Sequence, residues 1–162
     1  MARNARLAIT PATDVAEDAL RLHVRGTCKG NPGPGAWAAV LEQGEETVQI
    51  SGAEPSTTNN RMELMAVIGG LRLVPDEFQV FVVTTSDYVF MGATRWIHGW
   101  RRRDWKKKDG QPVSNLDLWR EIEALMDKHD IQWINAKGPS GGFEQGLEEA
   151  ARLAKEALTL EK

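Results

Sequence analysis

The sequence predicts an α/β fold built on a five-stranded mixed sheet flanked by helices. Three observations carry that reading. Leu20, Leu22 and Val24 alternate with Arg21, His23 and Arg25, the period of two that marks a strand with one buried face. Val80-Phe81-Val82-Val83 is a short continuous apolar run, which suits a strand covered on both faces and reached through a preceding helix. Between them, Asn60 to Leu73 sets Met62, Met65, Ala66, Ile68 and Leu71 at mostly helical spacing.

The elements follow in order. Met1 to Asp18 lacks apolar periodicity and contains Thr10-Pro11, so it reads as a flexible N-terminal extension. After the first strand, Pro32, Gly33, Pro34 and Gly35 enforce a turn. Ala36 to Leu41 and Thr47 to Gly52 then make two more strands around a tight connection at Gln43-Gly44-Glu45, completing an antiparallel meander. Thr57, Thr58 and Asn59 offer side-chain oxygens to cap the first helix, and Pro75 prevents its continuation. Beyond the fourth strand come helical pieces carrying Trp96, Ile97 and Trp100, then Leu116, Trp119, Ile122, Leu125 and Met126, the latter opened by Ser114 or Asn115. Ile131 to Ala136 is a further strand. Ala150, Leu153, Ala154, Ala157 and Leu158 form the inner stripe of a closing helix.

Bulk properties narrow the classes. With 162 residues, 41% of them hydrophobic, the chain can bury one substantial core and is too short for two comfortable domains. No apolar run approaches the roughly 20 residues of a membrane-spanning helix, and the start lacks the apolar core of a secretion signal, so a cytoplasmic protein is expected. Cys28 is the only cysteine, which excludes an intrachain disulfide and a thiolate zinc site of the usual kind. Net charge is −3, yet Arg101 to Lys108 holds six bases and one acid, a polarised distribution.

Two segments are specific. Gly26-Thr27-Cys28-Lys29-Gly30-Asn31-Pro32-Gly33-Pro34-Gly35 and Thr57-Thr58-Asn59-Asn60-Arg61-Met62-Glu63-Leu64-Met65-Ala66 resemble ribonuclease HI, the metal-dependent enzyme that cuts RNA paired to DNA. Gly92 to Trp100, Pro112 to Trp119 and Lys137-Gly138 fall in the same family order and spacing. The resemblance implies a ribonuclease H-like fold from about Leu20 to Leu158, a domain spanning 19–162, and a monomer.

It also implies a chemistry. Phosphodiester hydrolysis with two divalent ions about 4 Å apart needs hard oxygen ligands, and the family gathers three Asp and one Glu for them, with a loop His near the scissile bond. Matched residue by residue, this chain keeps few of these. Arg25 stands at the first Asp, Thr85 at the fourth-strand Asp and Pro139 at the loop His. Glu63 keeps the Glu, and Glu149 falls at the last Asp as a longer carboxylate. Asp87 lies two residues beyond Thr85, where the family has a polar substrate contact, and reaches the centre only if the strand end shifts. Because a guanidinium stays protonated, Arg25 is expected to form an ion pair with Glu63, Glu149 or both, in the space a metal would take. Taken without the flanking match, Glu63 reads as a helix-surface acid, and a slipped register would turn Arg25 to solvent.

The grip fares better than the blade. The resemblance implies hybrid recognition across the minor groove, and Cys28, Asn31, Thr58, Asn59 and Asn60 are retained there. Trp100, Arg101, Arg102, Arg103, Trp105, Lys106, Lys107 and Lys108 supply a basic, Trp-bearing protrusion for phosphates. Trp96 and Trp100, at i and i+4, read as packing, whereas Trp105 reads as the exposed contact. The first reading is therefore a pseudoenzyme that binds RNA/DNA hybrid or double-stranded RNA, with no cofactor expected. Two alternatives stay open: an active divergent ribonuclease H using Glu63, Asp87 and Glu149 with Mg2+ or Mn2+, and a protein-interaction subunit with a protein partner.

Overall fold

The computed structural model describes residues 19–137 and 142–160. The expected N-terminal extension, Pro139 and Ser140-Gly141 lie outside them. Three antiparallel strands open the fold: β1 (Arg21–Cys28), β2 (Gly33–Gln43) and β3 (Glu46–Thr57). Their pairing runs from Arg21 opposite Glu42 to Cys28 opposite Gly35, and β2 carries it on to β3. The two later strands extend past the predicted ends, because ladder pairing continues through residues whose side chains are exposed and carry no apolar signal.

α1 (Asn59–Leu71) is capped by Thr58, whose hydroxyl accepts from the Arg61 backbone N–H at 3.2 Å. It crosses over to β4 (Gln79–Thr84), which lies parallel to β1, and β5 (Asp130–Asn135) adds in parallel to β4. The sheet order is β3-β2-β1-β4-β5, the five-stranded mixed sheet the sequence predicts. Alternation along β4 divides the core. Val80 and Val82 enter the larger cluster under α1, while Phe81 and Val83 join Ile134, Ala136, Phe143 and Leu147 in a smaller one on the other face.

α1 is buried around most of its circumference, Glu63 included, because the sheet lies on one side and α4 (Leu116–Lys128) on the other. Close packing requires small residues. A Cβ on Gly26 would come within 2.5 Å of the Glu63 backbone nitrogen, so β1 and α1 approach as near as backbones allow. The Arg61 guanidinium grips the Asp117 carboxylate at 3.0 and 2.8 Å and tethers the start of α4.

Between β4 and α4 the chain winds through α2 (Asp87–Met91), a π-turn (Gly92–Trp96) and α3 (Ile97–Arg102). α5 (Glu144–Leu160) closes the opposite face, burying Ala150, Ala154 and Leu158 and resting Gly146 on the His23 ring. No helix among the described residues is long and apolar enough to cross a membrane.

Candidate functional site

The centre lies just past His23 with Val83, the last pair of the ladder between the parallel strands β1 and β4. Continuing their register of Leu22 with Val82 and His23 with Val83 by two residues sets Arg25 opposite Thr85. α1 passes over this point, and the Gly26 backbone N–H donates to the Glu63 carboxylate. Glu63 is only 5% exposed, so it is no helix-surface acid. Burial pushes its carboxyl up to about 7, against the opposing pull of the Gly26 N–H and the Arg25 charge.

The expected ion pair is not formed. Among the described residues, Arg25 pairs with neither Glu63 nor Glu149; its Nε and the Glu63 Oε1 are both buried without a hydrogen-bond partner. Glu63 is turned to the Gly26 N–H and feels Arg25 through space. Glu149 is held within its own helix by Arg152, at the edge of a groove lined by Val40, Glu42, Thr47 and Gln49. Asp87 does not move inward either. Its carboxylate accepts from Lys137 Nζ at 2.7 Å and Asn135 Nδ2 at 3.1 Å, with Lys137 foremost in holding it below the usual carboxylate range. Among the described residues, no three His, Cys, Asp or Glu side chains gather in a set that could hold a metal ion.

The structure does assemble the grip residues. Asn31 Oδ1 accepts from the Asn59 backbone N–H at 3.0 Å, joining the β1–β2 turn to the start of α1. Cys28 Sγ lies 3.4 Å from both Gly33 O and Thr57 O, so its single proton serves one at a time. Asn31, Asn59 and Asn60 remain exposed beside half-buried Cys28 and Thr58. The result is a polar rim at one edge of the sheet.

On the protrusion, Arg102, Arg103, Lys106, Lys107 and Lys108 are exposed, while Arg101 is tied to Glu123 at 2.6 Å. The tryptophans exchange roles. Trp105 is 7% exposed: a turn with positive φ at Asp104 and Trp105 folds the ring inward against Trp100, with the Arg120 guanidinium 5.3 Å from its centroid. Trp96 is the exposed ring at 41%, backed by Tyr88 and Trp100. Trp100 is half-buried. Sequence reasoning assigned the opposite roles because the π-turn rotates Trp96 outward, and neither that turn nor a left-handed pair of non-glycine residues leaves a periodic signal. It also missed Tyr88, whose hydroxyl accepts from Asn115 Nδ2 at 2.9 Å and Trp119 Nε1 at 3.0 Å and so positions the base of the protrusion.

The fold is shared with known proteins. The ribonuclease H family model matches residues 17–159, and the chain belongs to that family. The ribonuclease H of Bradyrhizobium is 45% identical over 83% of this chain and 86% of its own. That of Aeromonas salmonicida is 47% identical over 85% and 88%. Among solved structures, LC9-RNase H1, a type 1 RNase H with the type 2 active-site motif, superposes with a TM-score of 0.75 at 31% identity, covering 92% of this chain and 76% of that one. LC11-RNase H1, solved in complex with RNA/DNA hybrid, shares the fold with a TM-score of 0.60 at 22% identity over 87% and 97% of the two chains.

Proposed function

We propose that this protein is a hybrid-binding member of the ribonuclease H family that holds RNA/DNA hybrid or double-stranded RNA and does not cut it. The observation that carries the reading is the occupant of the centre: a permanent cation, Arg25, beside a single buried acid, Glu63, whose carboxyl is pushed up to about 7. A pair of divalent ions needs several charged oxygen donors. The residues here do not fit one: Arg25 repels it, Thr85 offers a neutral hydroxyl, Glu149 is engaged by Arg152 and Asp87 by Lys137.

Binding has better support. The rim of Cys28, Asn31, Thr58, Asn59 and Asn60 presents polar groups of the kind that read A-form-like duplexes through shape and 2'-hydroxyl contacts. The exposed cations of the protrusion add phosphate neutralisation. A relative of the same fold was solved with RNA/DNA hybrid.

The test pairs two readouts on one hybrid. Fluorescence polarisation at low salt is expected to show binding of hybrid and duplex RNA ahead of duplex DNA, with the RNA strand intact after incubation in magnesium and then in manganese. Cleavage of the strand would revive the active reading. Absence of binding at low salt would leave the protein-interaction reading ahead.

A further inference from the structure

We infer that Arg25 is itself a phosphate ligand: its guanidinium takes a backbone phosphate of the bound duplex at the centre of the site, with no metal between them. The inference rests on the hybrid-binding reading and adds the residue and the ligand chemistry. Three observations lead to it. First, Arg25 is half-buried, its Nε is buried without an acceptor, and among the described residues it has no ion pair with Glu63 or Glu149. A buried N–H left unpaired is costly, and an acceptor arriving with a ligand removes that cost. Second, the groups around it favour an anion. Thr85, one residue past the end of β4, falls opposite when the β1–β4 register is continued, and the carboxylates of Asp87 and Glu149 are engaged by Lys137 and Arg152. Glu63 is turned to the Gly26 N–H.

Third, the position lies close to the polar rim. Arg25 is on the same strand as Cys28, three residues or roughly 10 Å away, and Cys28 begins the polar rim that continues through Asn31 to Asn59. A strand lying along that rim passes the end of β1. The planar fork of a guanidinium matches two non-bridging oxygens of one phosphate, which a hydroxyl or an ammonium does not. It follows that duplex binding is indifferent to chelators and that magnesium acts only as a competing salt.

The experiment measures hybrid affinity by fluorescence polarisation in EDTA across a range of salt, for the wild type, Arg25→Gln and Arg25→Lys. Loss of the fork in Arg25→Gln is expected to weaken binding about tenfold or more and to lower the slope of log K against log salt by about 0.9, one phosphate's worth. Arg25→Lys is expected to keep the slope and lose part of the affinity. A second measurement needs no variant to bind: the Arg25 Nε–H resonance of the wild type is expected to shift when hybrid is added. If the wild type binds while Arg25→Gln matches it in affinity and slope, or if that resonance stays in place, the phosphate contact is refuted and the binding reading survives. If the wild type binds no hybrid with or without magnesium, both fall together.

Discussion

Glu63 and His23 bury ionisable groups with opposite consequences for pH. Burial raises the Glu63 carboxyl from 4.5 to about 7, so between those values the folded protein holds a proton that the unfolded chain has released. Its contribution to stability is therefore greatest below pH 4.5, declines as pH rises and is flat above 7. His23, 1% exposed beneath α5, is shifted the other way: burial, foremost, lowers its imidazole from 6.5, so the unfolded chain takes up a proton first as pH falls. As pH falls, the stability lost through His23 offsets the stability gained through Glu63. Glu63→Gln separates them. Its stability relative to wild type is expected to rise by about 3 kcal/mol from acid pH to pH 8, read from denaturant melts at the two ends; a gap that does not change with pH would remove the protonation argument. Arg25 was legible as a misfit from the Gly26 segment that follows it, yet its unpaired state was not. A sequence match places residues along a strand and cannot say that Glu63 turns to a backbone N–H instead.

At the scale of elements, β1 and α1 meet at Gly26, where any Cβ would overlap the backbone of Met62 and Glu63. Gly26→Ala is expected to cost about 3 kcal/mol in thermal or denaturant unfolding, because two backbones, rather than a flexible side chain, must yield. The tryptophans of the protrusion divide in the same structural terms. Trp105→Ala empties a buried position and is expected to destabilise by about 3–5 kcal/mol, whereas Trp96→Ala leaves stability within about 1 kcal/mol and weakens hybrid binding. Equal stability losses in the two variants would contradict the assigned burial. The antiparallel meander, the capped α1 and the paired parallel strands were all readable from period and turn residues. What escaped reading was geometry without period: the π-turn at Gly92–Trp96, the left-handed Asp104-Trp105 pair, and Asn115, which begins α4 at φ 60° and gives its side chain to Tyr88 and Arg61 rather than to a cap.

Across the whole molecule, the proposed function has a duplex touch both the polar rim at the start of α1 and the exposed cations of the protrusion beyond α3. Net charge is negative, so binding depends on local cations and is expected to weaken steeply with salt. Replacing Arg102, Arg103, Lys106 and Lys107 with Ala is expected to flatten the salt slope by up to about 0.9 for each phosphate lost, with a uniform loss of affinity across sequences; an unchanged slope would take the protrusion out of the interface. The family scaffold persists, and on the proposed reading its duplex contacts remain while Arg25 reverses the charge at the centre. The decisive measurement is RNA hydrolysis in hybrid, with magnesium, by the wild type beside the double variant Arg25→Asp with Thr85→Asp. No cut strand from the wild type and cleavage by the double variant are the results expected. Multiple-turnover degradation by the unaltered protein would contradict the account.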